Sequence, residues 1–366
     1  MAAVVDDKDA VGNTAPMLWD KETQEVHGGQ TWRACGDSFV DDFSVTTNPF
    51  GAPAAATAAA AAALAHIHHY PAADAGDALA AMARLTEFPA SQMLLGNGAS
   101  EFIDLVMRVG PPGPLRPGPY AAAYKEYDRA ALAAGREVLS PDSTAAAGVT
   151  VIIHPNSPTG DVMDLADLDA LVAASPGLVV VDESFIVFEG PNWRAASALN
   201  LIDKYPTKVV VLASWTKLWS CPGLRLGTIA ASPEWTSTLK KMQTPWSCNS
   251  AAQAFAVAAA SDDGYLRRSW ETLPGWKTET EGHLRSLGWT PNAASPAWVP
   301  WVYVDTGSEA TARRATDVAQ AAGVPVRWCA SYGQPAHLRL GVRCPASQSV
   351  LFGAWRKAFG LPAADA

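Results

Sequence analysis

The residues with the clearest chemical meaning form a short run, Ser214-Trp215-Thr216-Lys217, followed by Pro222-Gly223-Leu224-Arg225-Leu226-Gly227. An apolar, strand-like segment at 209–212 leads straight into it. A lone lysine after a strand is usually a solvated surface residue. Here hydroxyls stand three and one positions before Lys217, and an arginine stands eight positions after it. Small hydroxyls with a guanidinium suit a dianionic phosphate. A lysine amine beside them can form an imine with an aldehyde. Three further blocks carry related signals. Val179-Val180-Val181-Asp182 ends an apolar run on a carboxylate, which is costly to bury unless paired; a helix N-cap is the plain alternative for Asp182. Gly96-Asn97-Gly98-Ala99-Ser100-Glu101 joins a strand-like to a helix-like segment, and amides at a helix N-terminus bind phosphate. His154-Pro155-Asn156-Ser157-Pro158-Thr159-Gly160 reads as a turn after a strand.

Together these blocks resemble the motifs of fold-type I pyridoxal-phosphate enzymes, the class I and II aminotransferase superfamily. The resemblance spans 48–339. It implies pyridoxal 5'-phosphate as cofactor, carried by Lys217 as the catalytic Schiff-base lysine. It implies that Asp182 keeps the ring nitrogen protonated, so that the ring can accept electrons from the substrate α-carbon. The turn at 154–160 is similar to the family's NPNNPTG loop, from which His154 and Ser157 depart. The Asn156 position in that loop bonds the cofactor's phenolic oxygen and borders the substrate. Ala99, Ser100, Ser214, Thr216 and Arg225 fall where the family cups the cofactor phosphate, and Tyr124 where it stacks an aromatic on the ring. Tyr70 matches a tyrosine that reaches the phosphate of a partner subunit, which implies a homodimer; ordinary packing is an equal alternative. Arg339 alternates with apolar residues in His337-Leu338-Arg339-Leu340-Gly341-Val342-Arg343 and matches the arginine that forks a substrate carboxylate. Arg343 is given no role and reads equally as a surface residue.

Within this superfamily, three features are similar to threonine-phosphate decarboxylases. They are His27-Gly28-Gly29 ahead of Asp42-Phe43-Ser44 and Asn48-Pro49-Phe50-Gly51, then Pro245-Trp246-Ser247-Cys248-Asn249, then Arg327-Trp328-Cys329-Ala330-Ser331-Tyr332. The related histidinol-phosphate aminotransferases usually lack the first of these. They also carry a tyrosine where this chain has Phe185. The expected activity is therefore decarboxylation of a phosphorylated or otherwise anionic α-amino acid. His27, Gly28, Gly29 and Arg327 would hold its distal anion, and Arg339 and Asn156 its α-carbon end. Aminotransfer is the alternative, and a non-catalytic cofactor-binding protein a third reading, disfavoured because every chemical residue is present and no basic segment is.

The elements that must position these residues alternate. Apolar runs at 93–95, 149–153, 178–181, 209–212 and 227–230 read as buried strands, with helical stretches near 101–109, 124–134 and 165–173. The alanine-rich 54–65 and the segment 73–85 also read as helices. Such alternation implies an α/β fold: a large domain with a mostly parallel mixed sheet and helices on both faces, as in the aspartate-aminotransferase fold. After about 262 the pattern becomes α+β, with strands expected at 299–305, 324–328 and 337–342 and helices at 265–287 and 309–322. The expected division is an N-terminal arm and small-domain segment at 1–50, a large cofactor-binding domain at 51–262 and a small C-terminal domain at 263–366. The formal charge of −9 argues against nucleic acid or an anionic membrane as partner. Five cysteines without metal spacing predict reduced thiols and no metal. The acidic N-terminus lacks the apolar core of a signal peptide. No apolar run reaches the roughly 18 residues of a membrane span. A cytoplasmic enzyme acting on a small anionic amino-acid substrate is the expectation.

Overall fold

The computed structural model describes residues 27–362. The N-terminal stretch read for a signal peptide, and residues 1–26 of the expected arm, lie outside that range. The valine- and leucine-rich runs build a six-stranded sheet in the order β1-β6-β5-β4-β3-β2: β1 (Met93–Asn97), β2 (Leu115–Arg116), β3 (Val149–Ile153), β4 (Leu178–Asp182), β5 (Val209–Ser214) and β6 (Leu226–Ala231). Strands β2 to β5 pair in parallel, and β6 runs antiparallel to both β1 and β5.

The central strands are apolar at nearly every position because helices cover both faces. Val179, Val181, Val209 and Val211 enter one core, with residues of the helices Gly76–Thr86 and Ser250–Ala259. Leu178, Val180, Val210 and Leu212 enter the other, with the helices Ala99–Val109 and Glu126–Ala133. The alanine-rich helix Ala54–Ala63 lies along Ser250–Ala259, where short side chains let the two backbones approach.

A second sheet follows in the order β7-β8-β10-β9, all neighbours antiparallel: β7 (Thr290–Pro291), β8 (Trp301–Asp305), β9 (Arg327–Trp328) and β10 (His337–Gly341). Its core joins Val302, Val304, Leu338 and Leu340 to Ala312, Ala315 and Ala319 of the helix Glu309–Ala321 and to Leu351, Phe352 and Trp355 of Pro345–Ala358. A 24-residue helix, Asp263–Ser286, leads into this sheet.

Three details differ from the hydropathy reading. Strand β2 is a two-residue edge piece set among prolines and glycines, too short to give a pattern. The polar helix Pro233–Met242 was not anticipated, although Ser232 caps it by accepting a bond from the Trp235 amide. Strand β8 begins at Trp301 and not at Val299, since Pro300 has no N–H for the ladder.

The parallel core has a direct consequence for chemistry. Strands β3, β4 and β5 all end at the same edge of the sheet. The ladder pairs Ile153 with Asp182 and Asp182 with Leu212. The turn at 154–160, Asp182 and the Ser214–Lys217 run therefore emerge side by side.

Candidate active site

A cavity of about 180 Å³ opens at that edge. Lys217, Asp182, Arg225 and Arg339 all line it, together with Ala99, Ser100, Tyr124, Ser214 and Thr216. Lys217 sits on a single helical turn, Trp215–Leu218, directly after β5. Trp215 and Leu218 are buried below it and leave Lys217 facing the cavity. Desolvation lowers its ammonium to about 8, helped by the charges of Arg339 and Arg225 and opposed by Asp182. Far more of the amine is thus neutral near physiological pH than for an ordinary lysine, and the neutral amine is the form needed to attack an aldehyde.

The phosphate end of the cavity is shaped by close backbone approach. Arg225 has φ 60°, a left-handed conformation rare for a side chain of this kind, and its Nη2 donates to Ser100 Oγ at 2.9 Å. Gly98, at φ 78°, makes room for it: a Cβ there would lie 2.5 Å from Arg225 Nη2. A Cβ on Gly227 would land on the Ala99 amide nitrogen, so a glycine lets the helix Ala99–Val109 begin against β6. Ser214 Oγ and Thr216 Oγ1 stand 2.7 Å apart beside this helix start. Hydroxyls, a guanidinium and the first-turn amides make a cup that fits a phosphate.

The ring end centres on Asp182, which is only 5 % exposed. Its Oδ2 accepts from Tyr127 Oη at 2.8 Å, and its Oδ1 accepts from the Ser184 amide at 3.0 Å and from Ser184 Oγ at 2.5 Å. Burial pushes its carboxyl above the usual range, against the pull of those donors and of Lys217. A protonated ring nitrogen supplies the cation that such a carboxylate lacks. Ser184 Oγ also accepts from the Ser214 amide at 2.9 Å, which ties Asp182 to the segment carrying Lys217. Tyr124 presents its ring to the cavity and meets Tyr127 edge-on at 6.4 Å. These residues fit pyridoxal 5'-phosphate at both ends.

Asn156 is fully buried but does not line the cavity. Its Nδ2 donates to the Ala122 carbonyl at 2.9 Å and to Thr159 Oγ1 at 2.7 Å, while its Oδ1 has no partner among the described residues. Phe185 is buried edge-to-face on Trp301 at 4.6 Å and brings no hydroxyl to the cavity wall. Arg339, on the same cavity, is 8 % exposed and donates to Ser157 Oγ at 2.9 Å and to the Ser44 carbonyl at 3.0 Å. Ser157, one of the departures from the family loop, thus orients the fork.

The expected distal anion site is not assembled as read. His27 and Gly28 do line the cavity. Yet His27 Nε2 lies 2.7 Å from Glu126 Oε1, so a carboxylate already engages its imidazole. Burial would raise Glu126, but bonds from His27 and Arg129 hold it below the ordinary value. Gly29 spends its amide on Ser44 Oγ at 3.0 Å. Arg327 donates to Ser331 Oγ at 2.5 Å, lies over the Tyr332 ring and does not reach the cavity wall. Tyr70 is 78 % exposed, stacks on Trp246 and stands away from this cavity. Sequence reasoning missed Tyr127, Ser184 and Glu126. Tyr127 was open to detection, since it follows Tyr124 by three positions in a stretch whose pattern reads as helical.

The depressed lysine gives a direct test. Recombination of the cofactor-free protein with pyridoxal 5'-phosphate should accelerate as pH rises through about 8 and then level off, because the neutral amine is the reacting form. Stopped-flow absorbance measures this; a rise centred near the ordinary lysine value of about 10.4 would contradict the desolvated site.

The model of the family "Aminotransferase class I and II" matches residues 41–350. A histidinol-phosphate aminotransferase of Symbiobacterium thermophilum is 31% identical over 96% of this chain and 98% of its own. A second, from Ralstonia nicotianae, is 30% identical over 87% of this chain and 88% of its own. The solved histidinol-phosphate aminotransferase of Sinorhizobium meliloti, in complex with pyridoxal-5'-phosphate, superposes with a TM-score of 0.81 at 19% identity, covering 95% of this chain and 99% of that one. L-threonine-O-3-phosphate decarboxylase from Porphyromonas gingivalis is a more distant fold neighbour, with a TM-score of 0.73 at 18% identity over 87% of this chain and 99% of that one. The decarboxylase expectation is therefore corrected. Four relatives that match along most of the chain bear the histidinol-phosphate aminotransferase name. Two of the residues that suggested a decarboxylase, Gly29 and Arg327, are committed to other contacts. Matched over most of its length and equipped with this cup, lysine and carboxylate, the chain belongs to the class I and II aminotransferase family of pyridoxal 5'-phosphate enzymes.

Proposed function

We propose that the protein is an aminotransferase of histidinol-phosphate type, moving an amino group between an anionic amino compound and a 2-oxo acid. The observation that supports this most is one cavity holding both the lowered amine of Lys217 and the anion fork of Arg339. When bound, the cofactor supplies an aldehyde carbon to take the amino group and a ring to draw electrons from the substrate α-carbon. The chain's own residues do the rest. Lys217 Nζ would hold the cofactor through its aldehyde, and its amine is the base placed to carry a proton at the substrate α-carbon. A base with a pKa near the working pH contributes about 10²–10⁴-fold. Asp182, fixed by Tyr127 and Ser184, holds the proton on the ring nitrogen. Arg339, aimed by Ser157 and Ser44, takes the substrate's anionic group.

With L-glutamate or L-histidinol phosphate as donor, the protein should yield one 2-oxo product per amino group transferred and no carbon dioxide, and Lys217→Ala should lower the rate at least about a hundredfold. Carbon dioxide in step with consumption of an amino acid, without need of an oxo acid acceptor, would sink this reading.

A homodimer is part of the proposal. Tyr70, Leu64, Ile67, Trp246 and Val257 are exposed by 78, 56, 70, 46 and 36 % at the end of the alanine-rich helix and beside it. Large apolar groups gathered in this way favour a covering partner, and twofold pairing with a second copy is the commonest solution. Sedimentation velocity should give a dimer at assay concentration; a fully active monomer would refute it.

A further inference from the structure

We infer that Arg343 is a positioning residue for substrate binding: it clamps the segment 41–47 to the second sheet and thereby sets the aim of Arg339. The inference rests on Arg339 taking the substrate anion. Arg343 is 3 % exposed. Its Nε donates to the Asp42 carbonyl at 3.0 Å, its Nη2 to Asp42 and Val45 carbonyls at 2.5 and 3.1 Å, and its Nη1 to the Thr47 carbonyl at 2.9 Å. Asp41 pairs with Nε at 3.1 Å. A buried guanidinium is expensive to desolvate, yet this one does not line the cavity. Its planar fork suits the work it does, because it fixes three carbonyls of one irregular segment at set spacings. An ammonium has neither the span nor the geometry for that.

The clamped segment is a wall of the active site. Ser44, Val45 and Thr46 line the cavity. The Ser44 carbonyl receives Arg339 Nη2, and the Phe43 carbonyl receives the Gly341 amide at 2.8 Å. One residue past the clamp, the Asn48 amide donates to the Lys217 carbonyl at 2.8 Å. The segment therefore touches the anion fork at one end and the lysine turn at the other. Two glycines let it sit so close. A Cβ on Gly341 would land on the Val45 carbonyl oxygen, and one on Gly28 would come within 2.6 Å of the Ser44 carbonyl oxygen. Of the two glycines read from sequence as anion donors, Gly29 gives its amide to this wall, and Gly28 packs against the wall where it lines the cavity.

The test compares Arg343→Lys, Gly341→Ala and Arg339→Met with wild type, using L-glutamate as donor and hydrogen exchange of the holoenzyme. Gly341→Ala keeps the Arg343 guanidinium but pushes on the Val45 carbonyl that it holds, so it serves if Arg343→Lys folds poorly. Both should raise KM for L-glutamate roughly tenfold or more while kcat falls less than about threefold. Amides 43–48 should exchange faster in Arg343→Lys, with global protection retained. Arg339→Met should raise KM at least as much. Wild-type exchange of 43–48 in Arg343→Lys overturns the clamp, whatever the activity. So does a raised KM in Arg339→Met with unchanged KM in the other two variants. An unchanged KM in Arg339→Met instead removes the assignment of Arg339 on which the inference stands.

Discussion

Three cations and one carboxylate meet in one cavity at the edge of the sheet, and most of the molecule follows from the need to hold them there. Lys217, Arg225 and Arg339 face the same space, and Asp182 is the only carboxylate among the described residues lining it. Like charges in low dielectric repel strongly. Desolvation first, and then the charges of Arg339 and Arg225, lower the amine of Lys217 to about 8. The same excess of positive charge calls for two anions from outside, a phosphate near Arg225 and an anionic substrate group near Arg339. The lone carboxylate, buried and raised, calls for a cation between them. A cofactor with a phosphate at one end and a basic ring nitrogen at the other meets both requirements.

Holding this arrangement takes more than the motif residues. The parallel strands β3, β4 and β5 deliver their ends to one edge, and glycines at 98 and 227 let the helix Ala99–Val109 and Arg225 crowd the phosphate end. Tyr127 reaches Asp182 from the neighbouring helix Glu126–Ala133, and Ser184 links Asp182 to the lysine segment. The second sheet supplies the substrate side. Its strand β10 carries Arg339, and Arg343, just beyond that strand, grips the segment 41–47 that completes the wall. Trp301, at the start of β8, donates to the Pro158 carbonyl at 2.8 Å and so joins the second sheet to the turn bearing Asn156.

Much of this was legible from residue order, for a physical reason. Chemistry at the ends of buried parallel strands leaves a sharp signature: a run of valines broken by Asp182, or a strand running into Ser214 and Lys217. Side chains whose role depends on packing between distant segments leave none. Arg343 in an apolar strand-like stretch cannot be told from a surface residue until 41–47 is seen folded against it. Gly28 and Gly29 suggested amides open to an anion, but the adjoining wall takes the Gly29 amide. Arg327 beside aromatic residues suggested an anion site, and instead it lies over Tyr332. Those same features drew the sequence reading toward decarboxylation. The choice between breaking a C–H and a C–CO₂ bond rests on the orientation of a bound substrate, which no motif encodes.

The central claim is that the lowered amine of Lys217 is the group that carries the cofactor. Reduction of the cofactor-loaded protein with borohydride, followed by digestion and mass spectrometry, reads this directly. The account predicts one pyridoxyl-phosphate label per chain, on Lys217. A label on Lys277, a buried lysine that desolvation also lowers to about 8, or on any surface lysine, would contradict it.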